Sequence, residues 1–338
     1  MSFDDELERA WDLLEAGDVP GARRLAEKLY GDDPGHPDVI FLQAACCRQV
    51  GAIEDALKLL EQAAQADPNW ATPEIWTAEI LAEDPERLSQ AVQHATAALD
   101  RAEEEEEFLE AVALKAGLEI DLGKPTAARK TLAELPPLQA GASLPPGLAL
   151  DFAHLFLEVG DLDEATQRFA AVVDADSRDA DAWHGLGLCA EARNDEAGKR
   201  RAWLRVLDLD AEMQLAAPLL SEAQMAEVAE AALHELPQRV RELIANVPIL
   251  IVDLPARDEV DKGLDPRLLG MFAGSPYADA SGMGGQPDLT QILLFRKNLE
   301  RAAHSAEELG EQIRITLLHE TGHFFGMSED DLAEVGLD

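Results

Sequence analysis

Two histidines four residues apart, with a glutamate directly after the first, carry the clearest chemistry in the chain. The stretch His319-Glu320-Thr321-Gly322-His323-Phe324-Phe325-Gly326 reads H-E-x-x-H-x-x-G. On a helix, residues i and i+4 leave the same face, so the two imidazoles can hold one metal ion. Glu320 follows His319 by about 100° of helical rotation, within reach of a water on that metal without being a ligand itself. Zinc suits the set, because it takes imidazole nitrogens readily and keeps a position open for water when the protein supplies three ligands. The chemistry this predicts is hydrolysis of an amide by a metal-activated water, with Glu320 as proton acceptor.

The elements around the motif must place it. Ala306 to His323 has helical periodicity, with Leu309, Ile313, Thr316 and Leu317 on the apolar side, joined by Ile315 or Leu318. Ser305 stands at the N-cap position and Glu308 three residues later, the capping-box spacing. Gly326 offers a positive-φ position that can stop the helix and turn the chain back toward the metal. Where the motif continues as H-E-x-x-H-x-x-G-x-x-[H/D], the third ligand follows the glycine by three residues, which here is Glu329. Asp330 and a ligand from elsewhere stay open, with His304 the upstream candidate. The acidic trio Glu329 to Asp331 also suits the first turn of a closing helix capped by Ser328.

From Asn246 onward the chain resembles the small bacterial zincin-like metallopeptidase domains that carry H-E-x-x-H-x-x-G-x-x-D at their C-terminus. The matching pieces are NVPILIVDLP (246–255), LLGMFAGSP (268–276), LTQILLFR (289–296) and LLHETGHFFGMSEDDL (317–332). The resemblance implies a minimal zincin fold, with a zinc-binding helix beside a small sheet. It departs at Glu329, where the family has aspartate, and in having no downstream methionine turn. The residues themselves predict a helix over 222–245, a strand over Val247 to Val252, and a second at Ile292 to Phe295. The glycine- and proline-rich stretch 263–288 reads as irregular connection or a flap over the cleft. By resemblance, strand 289–295 borders the cleft and pairs with extended substrate. Tyr277 is a candidate oxyanion donor there, though packing suits it as well.

The front of the chain repeats. Against a 34-residue template, six units align. The first has Ala10, Gly17, Ala22 and Pro34, and the second Ala44, Gly51, Ala56, Leu60 and Pro68. A weaker third has Ala82, Ala91, Ala95 and Ala98. Ala116, Gly123, Ala128 and Leu132 mark the fourth; Phe156, Gly160, Ala165 and Phe169 the fifth. Trp183, Leu186, Gly187, Ala190, Lys199, Trp203 and Val206 form the sixth. Gly17 to Gly51 and Gly160 to Asn194 each span 34 residues. The pattern resembles a tetratricopeptide array, in which helix pairs that cannot bury their own apolar faces stack into a solenoid. Such arrays take extended segments or helices of partner proteins, and Trp70, Trp76 and Trp183 are either lining or core residues.

The chain has 338 residues and a formal charge of −39, spread along its whole length. That charge excludes non-specific binding of nucleic acid or of an anionic membrane. Cys46, Cys47 and Cys189 form no paired framework and read as buried thiols. The first nine residues have no basic n-region and no apolar run, and no stretch of about 18 apolar residues occurs. The expected location is the cytoplasm.

The expected fold is mostly α: a tetratricopeptide-like α-solenoid over 1–210, a connector over 211–221, and a small α+β zincin-like domain over 222–338. Two functional readings stand. In the first, a zinc-dependent peptidase uses His319, His323 and Glu329 as ligands and Glu320 as base, while the array recruits a protein or peptide. In the second, the protein is a non-catalytic scaffold whose zincin-like domain is a packing module without metal.

Overall fold

The computed structural model describes residues 2–136, 144–213, 217–274, 290–328 and 331. It divides into two compact units, Met1–Ser177 and Arg178–Asp338.

Among the described residues, the first unit is five antiparallel helix pairs. They are α1 (Phe3–Glu15) with α2 (Val19–Asp32), α3 (Pro37–Gln49) with α4 (Ile53–Ala66), α5 (Thr72–Ala82) with α6 (Leu88–Arg101), α7 (Glu105–Asp121) with α8 (Pro125–Leu132), and α9 (Pro146–Glu158) with α10 (Leu162–Ala175). Alanines set the spacing: Ala10, Ala22, Ala44, Ala56, Ala91, Ala116, Ala128 and Ala165 are fully buried, so backbones approach closely and larger side chains such as Leu60 and Phe169 fill between them. Four of the pairs turn on glycine in the left-handed region, at Gly17, Gly51, Gly123 and Gly160. The weakest pair by sequence is also the exception in structure. Between α5 and α6 a 3₁₀ turn, Pro85–Arg87, replaces the glycine, with Asp84 accepting the Glu86 N–H at 2.9 Å. Trp70 and Trp76 pack half-buried against Phe41, with ring centroids at 4.8 and 4.6 Å.

The second unit begins with the sixth pair, α11 (Ala180–Ala192) and α12 (Glu196–Glu212). Asn194 makes their turn with φ 56°. Gly187 is the seat of Trp203: a Cβ there would lie 2.1 Å from the indole nitrogen. Helices α13 (Glu222–Glu235) and α14 (Gln238–Ile244) follow, broken at Pro237 where the sequence predicts one continuous helix. Then come β1 (Ile249–Val252), α15 (Arg257–Asp261), β2 (Gly270–Ala273), β3 (Gln291–Phe295), α16 (Arg296–Arg301) and α17 (Ala306–Phe324). The sheet order is β1-β3-β2, with β1 parallel and β2 antiparallel to β3.

Two expectations are corrected here. The glycine and proline content of 263–288 predicts no regular element, yet β2 lies within it. Strand β3 does not present an edge to any substrate, because both its sides are paired; β1 and β2 take the edge positions. The core below the sheet joins Ile292 and Leu294 to Leu309, Ile313 and Leu317 of α17 and to Met225 and Ala229 of α13. Burying each leucine or isoleucine contributes roughly 1.5–3 kcal/mol.

The sixth pair belongs to this second unit through specific contacts. Trp203 and Leu207 of α12 form an apolar cluster with Val260 of α15. Asp210, with no exposed side-chain surface, receives Arg301 at 2.6 Å and Arg267 at 3.3 Å. Lys297 donates to the carbonyls of Asp210, Ala211 and Met213 at 2.8–3.1 Å, meeting the C-terminal end of α12. Among the described residues, no helix is long and apolar enough to cross a membrane.

Candidate metal centre

Helix α17 puts two kinds of residue on neighbouring faces. Leu309, Ile313, Thr316, Leu317, Glu320 and Phe324 are buried on the face toward the sheet and α13, while His319 and His323 are half-buried beside that stripe. Ser305 caps the helix, accepting the Glu308 N–H at 3.1 Å. The Glu308 carboxylate reaches back to the His304 N–H at 2.8 Å, one residue before the cap. His304 thus sits at the opposite end of α17 from the histidine pair, roughly 22 Å along the axis. It is not a ligand for that pair.

At the other end Gly326, with φ 83°, stops the helix. Its N–H donates to His323 O at 2.9 Å and the Met327 N–H to Gly322 O at 3.1 Å, the paired bonds of a glycine-ended helix. This turn brings the Met327 carbonyl back to His323, where Nδ1 lies 3.1 Å from it. A proton on Nδ1 satisfies that carbonyl and leaves Nε2 with its lone pair. Nε2 of His323 stands 3.0 Å from Nε2 of His319, with the rings at 77°. A tetrahedral zinc with bonds of about 2.0–2.1 Å needs its nitrogens roughly 3.3 Å apart. Two imidazoles aimed at one point, one of them fixed in tautomer by a backbone carbonyl, fit such an ion.

Glu320 is 7% exposed, and its Oε2 accepts the Phe272 N–H of β2 at 2.6 Å. Strand and helix come this close because residue 270 is glycine: a Cβ there would lie 2.6 Å from Thr316 Cγ2 and 3.0 Å from Leu293 O. Phe272 and Phe324 meet edge to face at 5.8 Å beneath the site. The cleft over the histidines measures about 450 Å³ and is lined by Leu268, Met271, Phe272 and Met327 besides the motif residues.

Of the sequence-predicted site residues, His319, Glu320 and His323 come together at one cleft. Glu329, Asp330 and Tyr277 lie outside the described residues. Asp331 is exposed and committed elsewhere: it accepts the Ser328 N–H at 2.9 Å and the hydroxyl at 2.7 Å, while Ser328 Oγ receives the Asp331 N–H. The hydroxyl and backbone bonds from Ser328 hold its carboxyl below the ordinary value. Among the described residues, no group of three or more His, Cys, Asp or Glu is placed to hold a metal. Two participants escaped the sequence reading, the Phe272 N–H and the Met327 carbonyl. Both are backbone groups, announced only by the neighbouring glycines 270 and 326.

Among curated proteins no relative matches the chain. Solved structures similar to it include PilF of Pseudomonas aeruginosa, at 17% identity and TM-score 0.49, covering 62% of this chain and 93% of the other. PilW, a type IV pilus biogenesis factor, is similar at 17% identity and TM-score 0.47, covering 67% and 98%. YrrB, a tetratricopeptide protein with an unusual peptide-binding site, is similar at 19% and 0.45, covering 55% and 93%. Family models are matched in three places: tetratricopeptide repeats at residues 13–80 and again at 150–214, and a zincin-like metallopeptidase at 244–337. The chain therefore carries tetratricopeptide repeats ahead of a zincin-like metallopeptidase domain.

Proposed function

We propose that the protein is a zinc-dependent peptidase whose repeats bring a protein or peptide segment to the cleft over α17. The observation that carries this reading is the pair of Nε2 atoms 3.0 Å apart, with His323 Nδ1 tied to the Met327 carbonyl. His319 and His323 hold the ion, and Glu329 is our choice for the third ligand. A zinc ion there supplies Lewis acidity and brings the pKa of a water to about 7. Glu320 takes the proton at its carboxylate, and the Phe272 N–H keeps that carboxylate in place. Leu268, Met271 and Met327 give the open cleft an apolar side against which a substrate side chain packs. The repeats suit an extended or helical partner segment. We assign the chain to the cytoplasm on cysteines whose spacing forms no disulfide framework, and expect no nucleic-acid or membrane partner from its acidic charge.

One observation favours the scaffold reading instead. The Glu320 bond to Phe272 also serves plain packing of β2 on α17. Two measurements separate the readings. Elemental analysis of protein purified without chelator should give about one zinc per chain, falling at least tenfold in His319→Ala and His323→Ala. Glu320→Gln should keep the zinc and the fold, and should accumulate intact captured proteins that the wild type releases as fragments. Captured proteins that are identical in wild type and Glu320→Gln, with no new termini in either, would leave the scaffold.

A further inference from the structure

The chain segment leading into β2 is fixed at every step, and half of what fixes it comes from the sixth helix pair. Asp265 Oδ1 and Oδ2 lie 3.0 and 3.1 Å from His184 Nε2 of α11, and Oδ1 also accepts the Arg267 N–H at 2.8 Å. Burial works to raise the Asp265 carboxyl, but the His184 bond and charge, with the Arg267 backbone and charge, outweigh it and hold the group below its ordinary value. The Arg267 guanidinium spans from Asp181 at 2.6 Å to the buried Asp210 at 3.3 Å. On the other side, buried Asn298 donates its amide to Pro266 O at 2.8 Å and to Leu268 O at 2.7 Å. Leu269 O accepts the Phe295 N–H at 2.8 Å, which sets the register of β2 on β3. Three residues further on is Phe272, whose N–H meets Glu320.

We propose that Arg267 is a positioning residue for the metal cleft: held by Asp181 and Asp210, it fixes the segment that delivers the Phe272 N–H to Glu320. The inference rests on the reading of Glu320 as proton acceptor. Its physical basis is the lack of slack between Arg267 and Phe272. A planar guanidinium bridging two carboxylates on α11 and α12 sets both the position and the direction of the backbone that follows. A hydrogen bond 2.6 Å long to a carboxylate tolerates little displacement of its donor. The sixth helix pair is then part of the catalytic scaffold, and a partner engaging α11 would act on Glu320 through this segment.

The test is site-resolved amide hydrogen exchange on the full-length protein, comparing Phe272 in β2 with Leu317 in α17. Arg267→Met should speed exchange at Phe272 by about tenfold or more while Leu317 stays at the wild-type rate. Arg267→Lys, which keeps the charge but not the fork, should recover part of that protection. Glu320→Gln should speed Phe272 exchange similarly, since it weakens the same bond from its other end. If Arg267→Met does not fold, Asp181→Asn removes one arm of the bridge at an exposed site and should give a smaller rise, about twofold to fivefold, at Phe272 alone. Unchanged Phe272 protection in the folded variant would overturn the proposal. So would an equal rise at Phe272 and Leu317, which would make Arg267 a general stability element. Zinc content is measured on the same samples: a wild type without zinc sinks the peptidase reading, whereas the exchange rates decide the positioning role either way.

Discussion

The two units of this chain are held together by different means. In residues 2–136 and 144–177, fully buried alanines let helices approach, and most packing lies between the two helices of a pair, with the remainder joining it to the next. In residues 178–338, the sixth pair has the same alanine-and-glycine build, yet it is joined to the rest by ion pairs and caps between residues 57 to 91 positions apart. Repetition makes a stack whose members are nearly interchangeable. Long-range polar contacts make a unit whose parts are not.

Dividing the second unit tests that contrast most severely. A fragment of residues 222–338 contains the whole of the metal helix and sheet but lacks Asp181, His184, Trp203 and Asp210. It should fail to unfold cooperatively, whereas residues 178–338 should give one urea transition with near-ultraviolet dichroism intact. Equal midpoints for the two fragments would show that the sixth pair is only an attachment.

Single substitutions give the next largest difference. Asp210→Ala leaves Arg267 and Arg301 without their buried partner and should cost about 3–5 kcal/mol. Glu79→Ala breaks the half-exposed pair with Arg48 at 2.9 Å in the first unit and should cost less than about 1 kcal/mol. Urea denaturation of the full chain checks both, and comparable losses would erase the distinction drawn here.

The smallest effect expected is a pH dependence confined to the first unit. Glu74 is buried at 2.6 Å from His94 Nδ1 and 2.9 Å from Arg101. The His94 hydrogen bond, against burial and with the help of Arg101, lowers its carboxyl pKa. A folded pKa below the unfolded one contributes stability above the unfolded value, which is lost as pH falls through the folded value. Acid melts should therefore show a loss below the ordinary carboxylate range that is reduced in Glu74→Gln, itself destabilised at neutral pH by a modest amount. Parallel acid profiles for the two proteins would refute the assignment.

How much of this was legible depended on sequence distance. Most helix pairs were readable because each is closed by its own turn: Gly17, Gly51, Gly123, Gly160 and Asn194 stand at repeat spacing, and all five adopt a positive φ. The metal helix was readable for the same reason, from Ser305 at one end to Gly326 at the other. Strand β2 was not, because a four-residue stretch that starts on one glycine and is followed by another forms a strand only when β3, some twenty residues later, supplies the hydrogen bonds. The grouping of the sixth pair with the C-terminal elements was hidden too, since Arg267 and Asp210 are unremarkable in sequence and meaningful only as a pair. Glu320 was picked out for its chemistry, but its structural partner is a backbone N–H that any residue would carry.

The central place of β3 also bears on how the chain acquires its structure. During synthesis each of the first five helix pairs can close as soon as its second helix is made, because its contacts are local. Strands β1 and β2 cannot: neither touches the other, and each waits for β3, about forty and twenty residues behind. Until then two apolar segments have open hydrogen-bonding edges and no mate, the condition in which strands add to those of a neighbouring molecule. The first five helix pairs can thus be complete while the sheet is still unpaired, and β3 and then α17, made after them, close the fold and assemble the histidine pair together.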